Sequence, residues 1–526
     1  MAAPNYSTDL TLISACESGT FVEFSGYGAG TLSAVPETDY YIQNSGCVSS
    51  TVKTVLNSIG FNNGANVSIG GGNAAFIWCF FGTPNSLDSF ANGGLRMLIG
   101  GSNTAFKGWK IGGSDYPPNP YGGWKNVAVD PSVANDYVTG TPSVNNQVFG
   151  IAAACPTSYP AKGAPFAIDA IRYGRGDFRV YGGDANGYAT FAGMAANNDN
   201  TSNRWGLFQE IAGGYLWKGL ITLGYSANVD FRDSNRVILI DDCPRVNNNF
   251  SKIEIRQTGS RVDWTSCSFQ SLANSSWGTV NKGRFEVIDA ADVNISKCTF
   301  VGMDTFVLLS GTDMTECEFR GCGQITANGA KLVDSKVSGY EGATNTSAVL
   351  WNANTNPSGL LDGMTFTRGT ANTHAIEFGT NSPTSLTLSG ITFTGYNTSN
   401  GQVDSALHIL RTTGNVDITV TGGTTPTYKS EGANVSVTSA VLVTLTGLKV
   451  NTEVRVFNAN TTTELSGTGA ENIDDGDHSF SVSSGTPVDI SILSFGYQNL
   501  RILNYSTTAN ASIPVSQVLD RQYLNP

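Results

Sequence analysis

Charge is what this 526-residue chain has little of: Asp, Glu, Lys and Arg make up 14% of it, against roughly 25% in ordinary soluble domains. The 30 Lys and Arg are outnumbered by 42 Asp and Glu, the formal net charge is −12, and no basic cluster stands out. A nucleic-acid partner needs a basic field that displaces phosphate counterions, so DNA and RNA are excluded as expected partners. Histidine is scarcer still. His374, His408 and His478 are too scattered to propose a triad or a metal site, and each reads as a surface or turn residue. No P-loop and no dinucleotide fingerprint leading into a helix occurs, so no cofactor is expected. The opening stretch Met1-Ala2-Ala3-Pro4-Asn5-Tyr6 has neither the basic nor the apolar region of an export signal, and no apolar run approaches the roughly 20 residues of a membrane helix. The expectation is synthesis in a cytosol without membrane insertion. The nine cysteines, an odd number spread along the chain, do not form a disulfide framework and read as reduced, mostly buried small hydrophobes.

In place of charge the chain carries Gly (61 residues), Asn, Thr and Ser, the residues of turn-rich all-β proteins. Its length predicts about two to four domains. From Thr8 to about Asp230 short strands alternate with Gly, Asn and Pro. Ala74–Phe81 is a continuous apolar run suited to a strand buried on both faces, and Leu95–Ile99, Phe106–Ile111, Phe166–Tyr173 and Asp177–Tyr181 follow it. Only Thr51–Ile59, with Val52, Val55 and Leu56 at helical spacing, reads as a helix. The pattern predicts a β-sandwich over residues 1–230, and its order and length are similar to a concanavalin-like jelly roll, whose relatives often bind glycans. Its loop from Ser114 sets Tyr116, Tyr121 and Trp124 among Pro and Gly. Rings held there suit stacking on a sugar, docking against another subunit, or packing back on the sandwich.

Between about Arg261 and Gly395 a three-residue phrase returns: Cys267-Ser268-Phe269, Cys298-Thr299-Phe300, Cys317-Glu318-Phe319, the weaker Ser335-Lys336-Val337, Met364-Thr365-Phe366 and Ile391-Thr392-Phe393. The third residues are spaced by 31, 19, 18, 29 and 27 positions. Because strand side chains alternate, the first and third residues share a face, which predicts two inward columns in the stacked coils of a right-handed parallel β-helix over residues 231–428. Outward, Glu318 and Lys336 are expected as an opposite-charge pair. The Gly213–Leu220 phrase, leading into Val229–Arg236, is expected to cap the first coil.

Beyond Gly422 plain alternation takes over in Val435, Val437, Val441–Leu445, Glu453–Phe457 and Val488–Ile492. This predicts a small immunoglobulin-like sandwich over residues 429–495, with Asp474–Asp477 as a hairpin turn. Residues 496–526, with little periodicity, read as an extended arm that is ordered only against a neighbouring domain or subunit.

The candidate chemistry is thin. Glycoside hydrolysis takes two carboxylates about 5 to 9.5 Å apart. Glu316 and Glu318, two apart on one expected strand, are the candidates for it, with Asp304, Asp313 and Asp334 near the same surface and Glu377 or Asp404 on another. Neither Glu sits in an apolar setting that would raise its pKa. Cys317 and Cys322 lack the second pair that a zinc site requires. Arg175-Gly176-Asp177 reads as a chance turn, and Asp474–Asp477 lacks the spacing of a calcium loop.

The Tyr215–Gly219 and Asp230–Arg236 phrases, the turn Ser260-Arg261-Val262-Asp263-Trp264 and the Cys-x-Phe coils together resemble virion structural proteins of tailed bacteriophages from aquatic environments. The resemblance implies a virion protein made in the host cytoplasm, a surface decoration, fibre, spike or tail component. Its partners would be other virion proteins, further copies of itself or a lattice, and a host-surface glycan. Spikes of this kind often cleave polysaccharide. The reading is therefore of a non-enzymatic structural protein, with a glycan-binding receptor-recognition protein or a depolymerising tailspike as alternatives.

Overall fold

Runs of β-branched and aromatic residues broken by Gly and Asn fold into strands almost throughout, and the protein is all-β. A computed structural model describes residues 3–17, 20–27, 41–43, 46–51, 57–81, 95–112, 123–143, 145–153, 165–198, 204–241, 246, 250–272, 282–473, 476–507 and 510–523. It divides into two compact units, Met1–Ile325 and Thr326–Pro526.

The first unit begins with two antiparallel sheets. One runs Tyr137–Thr139, Ala105–Gly112, Leu95–Ser102, Asn145–Ala153, Asn57–Ser68 and Thr20–Val22, and the other Thr11–Ser14, Pro165–Gly174, Ala74–Phe81 and Gly123–Val129. They share one core, to which Ile59, Met97, Trp109 and Phe149 come from the first sheet and Ile77, Cys79, Ile168 and Ile171 from the second. Ala74–Phe81 is buried on both faces as its apolar run predicts. Ile77 enters this core, while Trp78 on the opposite face packs with Ile42 and Ala170. At both described ends of the helix expected over Thr51–Ile59 the structure has strand instead. Thr51 ends the strand Val48–Thr51 and Asn57 opens Asn57–Ser68, which pairs with Asn145–Ala153. Val52, Val55 and Leu56 lie outside the described residues.

Parallel pairing starts at Asp177–Gly182, which takes Pro4–Thr8 antiparallel on one edge and Leu220–Leu223 parallel on the other. Lys252–Ile255, Arg284–Val287 and Phe306–Leu309 continue that sheet. A second parallel sheet runs Gly214–Trp217, Val237–Ile240, Ser268–Ser271, Thr299–Val301 and Glu318–Arg320. A third runs Asp230–Ser234, Arg261–Thr265, Asp292–Ser296 and Thr312–Thr315. Between the third and second sheets the chain turns on a single residue of positive φ: Asn235 (56°), Ser266 (55°), Lys297 (55°) and Glu316 (55°). The phrase sits directly after this bend. Cys267, Cys298 and Cys317 are buried, and the rings of Phe269, Phe300 and Phe319 stack at 5.3 and 5.2 Å. The seven described cysteines are all free and buried, whereas Cys155 and Cys243 lie outside the described residues.

The apolar end of these strands is covered by the one α-helix among the described residues, Phe191–Asn198. Thr190 Oγ1 accepts from the Gly193 amide at 3.0 Å and Asp233 Oδ2 from the Phe191 amide at 2.8 Å, which together satisfy the helix's first amides. Its Phe191 ring meets Phe231 at 4.9 Å and Trp264 at 5.3 Å. The expected cap thus differs from the structure. Gly214–Trp217 is itself a rung, with Phe208–Ile211 antiparallel on its outer edge, and the helix lies over the aromatic residues.

In the second unit, parallel ladders join Ser347–Trp351, His374–Phe378, Leu407–Ile409 and Tyr428–Ser430, and separately Lys336–Ser338, Thr365–Thr367 and Thr392–Thr394. The bends before the phrase recur at Asp334 (φ 54°), Gly363 (71°) and Gly390 (66°). Phe366 is fully buried and stacks on Phe393 at 5.6 Å, but Phe393 is only half-buried. Strand Asn434–Leu448 then serves two neighbours. Its first half pairs parallel with Asn415–Thr421 and its second half antiparallel with Gly476–Ser483. A facing sheet of Ala470–Ile473, Thr452–Asn458, Val488–Ser494 and Leu500–Tyr505 closes a core of Val443, Leu445, Val456, Phe480, Ile490 and Ile492. Residues 496–526, expected as an extended arm, supply two strands instead: Leu500–Tyr505 pairs with Val488–Ser494, and Ala511–Pro514 with Asn434–Leu448, because Leu500, Ile502 and Ile513 pack on this core. The expected hairpin is not formed either, since the strands flanking residues 474–475 belong to different sheets. Asp474 and Asp475 themselves lie outside the described residues.

Candidate functional site

The bend separates the two carboxylates proposed for hydrolysis. Glu316 occupies the positive-φ turn, exposed and 3.9 Å from Lys297, while Glu318 opens the next strand and ion-pairs with Arg320 at 2.6 Å. They do not share a strand face, and Glu318 pairs with Arg320 on its own strand. The neighbouring acids are engaged as well. Asp304 pairs with Arg284 at 2.6 Å, Asp313 accepts from Thr315 Oγ1 at 2.5 Å, and Asp404 pairs with Arg368 at 3.1 Å. Asp334 occupies a bend of its own.

Of the aromatic trio, Tyr116 and Tyr121 lie outside the described residues. Trp124 is in strand Gly123–Val129, half-buried, with its ring 5.4 Å from Phe80 and packed toward Ile42, Trp78 and Ala170. This is the inward-packing arrangement. Arg175-Gly176-Asp177 opens a strand, and its aspartate is buried against Thr222 and Arg179, where burial raises its pKa.

The most concentrated polar chemistry was not anticipated. Two of the three histidines are buried and meet in the second unit. His374 and His408 are 0% and 2% exposed, their rings stacked at 4.6 Å. Strand register brings the groups together, because Glu377, His408 and Lys429 are direct neighbours across three parallel strands. His408 Nδ1 lies 2.9 Å from Glu377 Oε2 and Nε2 2.8 Å from Glu431 Oε1, which Lys429 Nζ also reaches at 2.5 Å. His374 Nδ1 meets the Ser405 carbonyl at 2.6 Å, and Nε2 meets Asn345 Oδ1 at 3.1 Å. Asn345 Oδ1 in turn accepts from Lys429 at 2.8 Å.

Burial first, then the neighbouring His408 and Lys429 charges, push the His374 pKa down to about 4, so its ring is neutral at pH 7. Hydrogen bonds from Lys429 and His408 pull Glu431 down to about 2. A glycosidase acid requires the opposite shift. Among the described residues no hydroxyl or thiol nucleophile is bonded to either ring, and no group of three His, Cys, Asp or Glu side chains is arranged to hold a metal. The arrangement ties together the three parallel strands whose register makes Glu377, His408 and Lys429 neighbours. Only the identical spacing of His374 to Ser405 and Glu377 to His408, 31 residues each, hinted at it in the sequence.

The first unit holds a second such network. Asp169 is fully buried and accepts from the amides of Ile42 (2.7 Å), Gln43 (3.0 Å) and Ala170 (2.5 Å), and burial raises its pKa to about 6.

No family model matches the chain, and no curated protein matches its sequence. Among solved structures, a family 11 carbohydrate-binding module from Clostridium thermocellum, in complex with a β-1,3-1,4-mixed-linked tetrasaccharide, is 14% identical over 31% of this chain and 94% of its own, with a TM-score of 0.21. The family 11 module of the cellulosomal cellulase Lic26A-Cel5E from the same organism gives 15%, 32%, 95% and 0.20. The catalytic unit of a GH87 α-1,3-glucanase from Streptomyces thermodiastaticus is 11% identical over 80% of this chain and 93% of its own, with a TM-score of 0.15. At these scores the likenesses carry no functional argument.

Proposed function

We propose that the chain is a non-enzymatic structural protein of a tailed-phage virion, acting by assembly with other virion proteins and by contact with a host-surface glycan. The observation that carries the non-enzymatic half is the state of the carboxylates. Glu318, Asp304 and Asp404 each pair with an arginine and Glu377 and Glu431 with His408, and Glu431 is held down at about 2, the opposite of what a glycosidase acid needs. The virion half rests on the resemblance of the coil and turn phrases. Within this reading the paired antiparallel sheets of the first unit are a concanavalin-like jelly roll, the parallel strands are coils of a right-handed β-helix, and the C-terminal sheets are an immunoglobulin-like sandwich. The in-register Phe columns and the two two-sheet cores support that layout.

Mass spectrometry and cryo-EM of purified particles test the reading. The chain is expected at fixed copy number in an ordered position, and its absence from purified particles would sink the virion assignment. Host capsule incubated with the purified protein is expected to keep its chain length. Shortening that disappears in Glu316→Gln or Glu318→Gln would establish a depolymerase instead.

A further inference from the structure

Three polar residues meet where the antiparallel sheets of the first unit adjoin its first parallel strands. Asn126, Lys218 and Asp241 are 2%, 3% and 7% exposed. Register brings two of them together. Trp217 pairs with Ile240 across neighbouring parallel strands, so Lys218 and Asp241, the residues that follow, occupy equivalent positions, and the Asp241 amide donates to the Trp217 carbonyl at 2.8 Å. Their side chains form an ion pair at 3.1 Å. Asn126 comes from the other side. It lies opposite Trp78 in the antiparallel sheet, on the face turned away from the shared core. Both approach the same short segment: Asn126 Nδ2 donates to the Trp205 carbonyl at 2.9 Å, and the Lys218 amide to the Leu207 carbonyl at 2.8 Å. Lys218 Nζ also donates to the main-chain carbonyl of Asn126 itself.

One atom of this cluster is left over. Asn126 Oδ1 is buried and, among the described residues, accepts no hydrogen bond. Leaving a buried acceptor so is costly, and a buried ammonium–carboxylate pair gains little over an apolar filling of the same space. Folding alone accounts for neither feature. Together, an amine, a carboxamide and a carboxylate shielded from water are the reactants of an amide transfer.

We propose that Lys218 and Asn126 are joined by an intramolecular isopeptide bond, with Asp241 as the proton carrier. In surroundings that solvate charge poorly, the Lys218 ammonium passes a proton to the Asp241 carboxylate, leaving a neutral amine and a carboxylic acid. The lone pair of Nζ attacks Asn126 Cγ, and the charge that develops on Oδ1 accepts a hydrogen bond from the Asp241 acid. A proton of Nζ passes through Asp241 to Nδ2, the Cγ–Nδ2 bond breaks, and ammonia leaves. One ammonium, one carboxylate and one carboxamide thus become one secondary amide, one carboxylic acid and one ammonia, so atoms and charge balance without an oxidant. The fixed positions of the three groups replace the encounter that the reaction requires in solution. Two buried charges disappear, and strand Gly123–Val129 is fastened covalently to the end of strand Gly214–Trp217. Such a bond restricts the unfolded chain as a long-range disulfide does, and it forms equally well in a reducing compartment. It stands independently of the virion reading.

Proteolysis of the purified full chain under denaturing conditions, with mass spectrometry of the fragments, tests the bond in the unaltered protein. The fragment containing Asn126 is expected to be joined to the one containing Lys218, lighter than the two together by one ammonia, as the main species. Recovery of the two fragments only as separate species overturns the proposal and leaves an ordinary buried ion pair. Lys218→Arg keeps the positive charge but removes the amine, and is expected to abolish the link; a linked fragment in that variant overturns the assignment of Lys218. Asp241→Asn is expected to abolish the link with the far-ultraviolet circular dichroism unchanged, and a link that persists there overturns the role of Asp241 as proton carrier. The unaltered chain decides the proposal even where a variant fails to fold.

Discussion

In the first unit the rings of Phe269, Phe300 and Phe319 lie over one another at 5.3 and 5.2 Å, with no polar atom to satisfy. In the second, the rings of His374 and His408 lie over one another at 4.6 Å, with all four ring nitrogens facing oxygen atoms at 2.6 to 3.1 Å. Parallel register produces both stacks, because it sets equivalent positions directly above each other. What differs is the thermodynamics. Each buried Phe contributes about 1.5–3 kcal/mol by leaving water, and this does not change with proton concentration. The cost of burying a charged ring at His374 ties its contribution to pH. One stack is a source of stability, and the other is a conditional lock on register.

Removing Phe300 breaks the comparison most sharply. It is fully buried, with Phe269, Phe319 and Phe306 all within 5.3 Å centroid to centroid. Phe300→Ala is expected to cost about 3–5 kcal/mol, read as faster hydrogen exchange across strands Ser268–Ser271, Thr299–Val301 and Glu318–Arg320. A loss below about 1 kcal/mol would mean that the column is not what stabilises these strands.

Acid probes the other stack. His374 has an ordinary pKa of 6.5 and a folded value of about 4. Between these values the unfolded chain binds a proton that the folded chain refuses. The contribution is therefore complete above pH 6.5 and lost as pH falls through 6.5 to 4, on the order of 2–3 kcal/mol. Glu431, held at about 2 against an ordinary 4.5, adds a second loss as pH falls from 4.5 to 2. Exchange protection in strand His374–Phe378 is expected to fall over the upper window while that around Phe300 stays level. Equal responses in both places would show that His374 is not the group being titrated.

The two stacks were not equally legible in the sequence. Cys267-Ser268-Phe269 and its copies repeat residue types two apart, and the alternation of strand side chains converts that spacing directly into a buried column. The histidines carry no local pattern. His374 and His408 are 34 residues apart, and only the register Glu377↔His408 and His408↔Lys429 makes them neighbours. The same limit misplaced Glu316, because two residues of spacing implies a shared face only where no bend intervenes. The helix Phe191–Asn198 went unseen because eight residues are too few for a periodic signal, although Thr190 is a recognisable cap. Leu500–Tyr505 was read as an arm because its burial depends on Val488–Ser494 rather than on its own composition.

The bends that precede every phrase offer the finest test of whether backbone or side chain sets the stack. Ser266, Lys297, Glu316 and Asp334 accept positive φ, whereas Gly363 and Gly390 occupy the equivalent place in later copies. A β-carbon at Gly390 would meet only ordinary contacts, the nearest at 3.5 Å, so Gly390→Ala isolates the backbone term. It is expected to cost about 1–2 kcal/mol, the strain of a left-handed residue. At Gly363 the same carbon would lie 2.0 Å from Asp334 Oδ1, so that site would confound the measurement. Lys297→Gly runs the exchange in reverse. It relieves the left-handed strain but adds about 0.5–1 kcal/mol of glycine entropy. It also removes an exposed pair with Glu316 at 3.9 Å. The net change is expected to be stabilising and below about 1 kcal/mol, seen as a small rise in denaturant midpoint at constant slope. If Lys297→Gly instead destabilises as much as Gly390→Ala, the lysine side chain and not the backbone holds that bend, and the bends of the two units are not equivalent.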